Sequence, residues 1–139
     1  WLGIPGALGT KLGDPSKRVV AVTGDGGMLY HISEFETAMR CSIPIVVVVM
    51  NNACLASEYQ TQKRHQRVVK SVLDFNDVDF AAVARPFGAW GKRIEDAKDL
   101  DGAIAEASWP TAWPGFGHRL WKWRHRESTS SRRLRRLWN

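Results

Sequence analysis

The sequence predicts an α/β domain, a truncated three-layer α/β/α arrangement around a mostly parallel sheet. Three observations carry this. Two β-branched runs, Val19-Val20-Ala21-Val22-Thr23 and Ile45-Val46-Val47-Val48-Val49-Met50, have the continuous apolar character of buried parallel strands. Between them, Leu29, Ile32, Phe35 and Met39 recur at spacings of three and four, which predicts an amphipathic helix over Met28–Arg40. Strand, helix and strand within about 30 residues make a βαβ unit, whose two strands run parallel.

Taken in order, Gly3–Gly13 is rich in small residues and is expected to form a short helix packed tightly on its neighbours. Asp14-Pro15-Ser16-Lys17 is a turn. Arg18–Thr23 is the first strand, expected to be buried on both faces. Gly24-Asp25-Gly26-Gly27 is a tight turn into the crossover helix, which Ser42-Ile43-Pro44 ends before the second strand, Ile45–Met50. Residues 57–70 are polar and form a helix or ordered loop. Val78–Arg85 is a helix that Asp77 can cap, and Pro86 stops it. Residues 88–94 are a third strand weakened by two glycines. Asp99–Ala107 is a helix with Leu100, Ile104 and Ala107 inward.

Composition divides the 139 residues into two parts. Residues 1–107 hold 12 Lys and Arg against 13 Asp and Glu, a net charge of −1. Residues 108–139 hold eight Lys and Arg and one acid, Glu127, a net charge of +7, and five of the seven tryptophans. The body therefore has no nucleic-acid footprint. The tail shows neither a strand nor a helix period where a further apolar strand is due. It is expected to be disordered or to come from a shifted reading frame, the rival being a basic, aromatic segment that binds nucleic acid or membranes. No apolar run reaches the length of a membrane-spanning helix. The chain opens at Trp1 without an initiator Met, and is expected to begin inside a domain. Cys41 and Cys54 form neither a metal-ligand pair nor a disulfide framework, which fits a reducing, cytoplasmic setting.

The chemistry lies at the strand ends. Gly24-Asp25-Gly26 and Asn51-Asn52 each follow a strand, with 24 residues between the triplet and the pair. Ligands of open parallel sheets bind beyond the carboxyl ends of the strands. Magnesium takes oxygen ligands and prefers one or two carboxylates completed by substrate phosphates. Asp25 offers an anionic oxygen and Asn52 a neutral one, and a backbone carbonyl just beyond Asn52 can give a third. Gly24, Gly26 and Gly27 allow a sharp turn and a close approach to phosphate, with the helix N-terminus favouring an anion. The ordinary alternatives are a simple strand-to-helix turn for the glycines and an N-cap for Asp25. Asn51 should serve structure, because neighbouring strand residues point to opposite faces. His31 is expected to be a packed or exposed histidine, Cys54 an unreactive thiol, and Glu58, Tyr59 and Gln60 either substrate contacts or a solvated face.

The run Val20–Gly27, then Glu34, Thr37 and Ala38, then Ile43–Val48 and Asn51-Asn52 resembles the thiamine-diphosphate enzymes of the acetolactate synthase and pyruvate decarboxylase group, over about residues 1–107. The resemblance implies their C-terminal, diphosphate-binding domain, with thiamine diphosphate and Mg2+ as cofactors. It implies a cation held by Asp25, Asn52 and the backbone of Cys54. Gly24, Asp25, Gly26, Gly27, Asn52 and Leu55 would contact the cofactor, and the amides of Gly26 and Gly27 would meet the diphosphate. It further implies a lyase or transferase acting on a small 2-oxo acid, and a homo-oligomer for the full-length enzyme. The glutamate that activates the cofactor comes from a pyrimidine-binding domain in the same or another chain. No catalytic residue is therefore expected within these 139 residues, which should be inactive alone. The remaining alternatives are another phosphate- or nucleotide-binding α/β enzyme and a non-enzymatic protein with a basic tail.

Overall fold

A computed structural model describes residues 2–107 and the backbone of residues 119–124. Four parallel strands form one sheet: β1 (Val20–Gly24), β2 (Val46–Asn51), β3 (Trp90–Ile94) and β4 (Arg119–Arg124), in the order β1-β2-β4-β3. The helices are α1 (Gly3–Gly13), α2 (Asp25–Tyr30), α3 (Glu34–Arg40), α4 (Ala56–Arg64), α5 (Lys70–Leu73), α6 (Phe80–Ala84) and α7 (Leu100–Ala107).

The helix α1 buries Ile4, Ala7, Leu8 and Lys11, one stripe at helical spacing, against the sheet. Lys11 reaches past the helix end, and its Nζ donates to the carbonyls of Pro15 (2.7 Å) and Lys17 (2.6 Å), closing the turn that launches β1. The main core joins this stripe to Ala21, Val47 and Val49 from the sheet, Met28 and Phe35 from the crossover, and Phe80 from α6. A second cluster on the opposite face packs Ala103 and Ala107 of α7 against Val46 and Ile94. Helices on both faces make the three layers that the sequence predicts.

Several expectations are corrected in detail. β1 is an edge strand, and its alternation is plain: Val19 and Ala21 are buried, whereas Val20 and Val22 are 55% and 66% exposed. Among the described residues, α7 covers the far face only around β2 and β3, so the outward valines of β1 lie bare. The crossover is two helices instead of one. Around His31–Ser33 the backbone bonds shorten to three-residue spacing, from His31 N–H to the Met28 carbonyl and from Glu34 N–H to the His31 carbonyl. That turn shifts the buried stripe to Met28, Phe35 and Ala38 and leaves Leu29 39% exposed. Asp79, not Asp77, caps α6, accepting from the amides of Ala81 (3.1 Å) and Ala82 (3.2 Å). In α7 the inward residues are Ala103 and Ala107, with Leu100 half-buried and Ile104 46% exposed. Lastly, a strand does follow Ala107: Arg119–Arg124 lies between β2 and β3 and pairs in parallel with both. The rest of the segment from residue 108 onward, with the expectations of disorder or a shifted frame, lies outside the described residues.

Candidate functional site: the carboxyl ends of β1 and β2

Asp25 joins the two strand ends. Its carboxylate is 4% exposed and accepts three backbone amides: Gly26 at 2.7 Å on Oδ1, and Asn52 at 3.2 Å and Cys54 at 3.1 Å on Oδ2. β1 and β2 run parallel in register from Val20↔Val46 to Gly24↔Met50, so both motifs emerge at the same edge. A carboxylate offers about four lone-pair positions. The three amides take three of these and leave one on Oδ1.

The other expected residues collect around it. Gly26 and Gly27 are buried in the first turn of α2, whose leading amides have no acceptor within the helix. The Gly26 amide, expected to face a phosphate, is turned onto Asp25. Gly24 precedes the helix in an extended conformation (φ −79°, ψ 167°), with room for a side chain. Gly26 has no such room, since a Cβ there would lie 2.6 Å from Leu55 Cδ2 and 3.2 Å from the Phe75 ring. Leu55 therefore rests on the glycine turn. Asn52, whose amide Asp25 holds, is exposed. The carbonyl of Cys54 takes none of the hydrogen bonds that hold its loop.

Asn51 is structural, as its position on the strand requires. It is 2% exposed, its Nδ2 donates to the Val78 carbonyl (3.2 Å) and to Asp77 (3.4 Å), and its Oδ1 accepts the Ala53 amide (3.0 Å). Between the two loop amides bound by Asp25, Ala53 adopts the left-handed conformation with φ +57°. Burial pushes the Cys54 thiol above its ordinary value, and the nearby Asp74 and Asp25 carboxylates push the same way, so the thiol stays protonated. α4, which carries Glu58, Tyr59 and Gln60, buries none of its residues.

Sequence reasoning missed the segment that backs this loop. Leu55 N–H donates to the Leu73 carbonyl (2.9 Å) and Phe75 N–H to the Ala53 carbonyl (2.8 Å), with Cys54 and Asp74 paired between them. The signal for it was Leu73 and Phe75, apolar residues two apart on either side of Asp74.

Among the described residues, no three His, Cys, Asp or Glu side chains gather as a metal site. The donors expected from the sequence are instead a carboxylate, a carboxamide and a main-chain carbonyl. This all-oxygen set suits a hard cation such as magnesium and not zinc or copper.

Fold and site together define an α/β domain of the class that binds a phosphate-bearing ligand at the carboxyl edge of a parallel sheet. Residues 2–114 match the family described as thiamine pyrophosphate enzyme, C-terminal TPP binding domain, and the chain belongs to that family. It is 38% identical over 100 residues to acetolactate synthase of Bacillus subtilis, covering 71% of this chain and 17% of that protein. It is 34% identical over 110 residues to acetolactate synthase isozyme 3 large subunit of Escherichia coli, covering 76% of this chain and 18% of that protein. Among solved structures, the thiamine diphosphate-dependent 4-hydroxybenzoylformate decarboxylase of Rhodococcus jostii superposes with a TM-score of 0.79 at 26% identity, over 91% of this chain and 23% of that one. The chain thus spans less than a fifth of the length of these curated relatives. The cofactor that the family implies is thiamine diphosphate.

Proposed function

We propose that this chain is the half-site that grips the diphosphate of thiamine diphosphate through magnesium, within an acetolactate synthase-like enzyme acting on 2-oxo acids. The observation that carries this is Asp25, whose single carboxylate ties the end of β1 to the loop after β2 and still has a free position on Oδ1. Asp25, the Asn52 carboxamide and the Cys54 carbonyl would hold the cation, and phosphate oxygens and water would complete its shell. Gly24–Gly27 and Leu55 would line the diphosphate. When bound, the cofactor supplies the carbanion chemistry of bond cleavage next to a carbonyl.

On this reading the described residues bind and orient, and none of them is assigned to activating the cofactor's aminopyrimidine ring. That task falls to a pyrimidine-binding domain elsewhere in the same or another chain, so the 139 residues alone should turn over no pyruvate. Detectable pyruvate consumption by the purified chain would contradict this. Binding itself is tested by thermal melting. Thiamine diphosphate with magnesium at about 100 times the dissociation constant should stabilise the fold by about 2.7 kcal/mol. Unphosphorylated thiamine with magnesium, or the diphosphate with a chelator, should leave the melting temperature unchanged. Equal stabilisation by thiamine alone would overturn the assignment of this edge to the diphosphate.

A further inference from the structure

The loop after β2 is gripped from two sides. Asp25 takes its Asn52 and Cys54 amides on one side. On the other, residues 73–75 run antiparallel to residues 53–55 through two hydrogen bonds. So short a ladder does not hold by itself. Its anchors are Leu73, 1% exposed, and the ring of Phe75, which lies beside Leu55 over the backbone of Gly26. Phe75 is thus joined to the loop through its amide and to the Asp25 turn through its ring. Strain makes this link matter: Ala53, at φ +57°, keeps a conformation that L-residues resist, and the Phe75 amide is bonded to its carbonyl.

We infer that Phe75 is a positioning residue for the cation–diphosphate end of the site. It sets where the Asn52 carboxamide and the Cys54 carbonyl stand relative to Asp25, acting through the loop backbone and the cover on Gly26. The inference rests on the site described under Proposed function. Cation ligands tolerate little displacement, and loss of the groups that orient them lowers metal affinity by about 10–100-fold.

The test uses residues 1–139 and four variants, titrated calorimetrically with thiamine diphosphate in magnesium, with circular dichroism to establish folding. Phe75→Ala should weaken binding about 10–100-fold while remaining folded, and Phe75→Leu, which keeps an apolar cover on Gly26, should recover most of it. Phe80→Leu, in the core on α6, should lower the melting temperature and leave affinity unchanged. Should Phe75→Ala not fold, Phe75→Val carries the comparison, with an affinity expected below that of Phe75→Leu. Wild-type affinity in a folded Phe75→Ala or Phe75→Val variant would overturn the inference, as would a Phe80→Leu affinity that falls in step with its stability. Absence of binding by the unaltered chain would instead overturn the reading of the site itself, and the inference with it.

Discussion

Asp25 is a bridge and not an N-cap, a position that Gly24 holds: one buried carboxylate receives amides from its own turn and from a loop 27 to 29 residues away. Its neighbour in that loop makes the site strained. An alanine at φ +57° pays a steric penalty that glycine avoids. Ala53→Gly should therefore stabilise the fold by about 0.5–1 kcal/mol, after the added freedom of the unfolded chain is subtracted. Thermal denaturation measures this; a loss of stability would mean that the surrounding bonds do not impose the conformation. The cysteines differ in the same local way. Cys41 is exposed, whereas burial and two carboxylates raise the Cys54 thiol. Iodoacetamide near neutral pH should label Cys41 first, as peptide mass spectrometry would show, and faster labelling of Cys54 would contradict its partly buried, acidic surroundings. Asp25 and Asn52 were legible in the sequence because each closes a β-branched run. Phe75 was not, because its role comes from chain pairing that no local pattern encodes.

Elements follow the same division. β1 and β2 were legible from their valines, and the parallel pairing from the crossover between them. The break at His31–Ser33 was not, since the apolar spacing runs through it unbroken. Three acids, Asp74, Asp77 and Asp79, precede α6, and propensity alone does not choose the cap. The structure gives that role to Asp79, next to the first helical residue, and sets Asp77 against Asn51 and Arg93. Gly91 shows how a glycine can strengthen a strand against its own low strand propensity. A Cβ there would lie 2.7 Å from the Ala81 Cα, so α6 packs directly on the backbone of β3. Gly91→Ala should destabilise the protein by about 3 kcal/mol through overpacking, measured by urea denaturation. A change within about 0.5 kcal/mol would show that α6 sits farther from the strand. β4 escaped notice because Arg-Leu-Trp-Lys-Trp-Arg carries no apolar run, although it lies at the centre of the sheet.

On the scale of the molecule, the sheet is unevenly covered among the described residues. Val20 and Val22 are more than half exposed on an edge strand, with Leu2 and Met50 also exposed. Open edges flanked by apolar side chains invite association. Val22→Lys should reduce aggregation in size-exclusion chromatography with little change in melting temperature, and a large drop in stability would mean that the valine is packed. The three layers and the meeting of both motifs at one sheet edge were legible because the βαβ unit fixes both. The bare face was not, since an apolar strand reads the same whether or not a helix covers it. That Asp25 organises a magnesium-dependent diphosphate site is the assignment on which the proposed function depends. It is tested most directly by calorimetric titration of thiamine diphosphate into residues 1–139, with and without magnesium, for the unaltered chain and Asp25→Ala. Binding that needs magnesium and vanishes in a folded Asp25→Ala variant is the predicted result. Binding that persists without magnesium, or in that variant, would show that Asp25 does not hold a magnesium-dependent site.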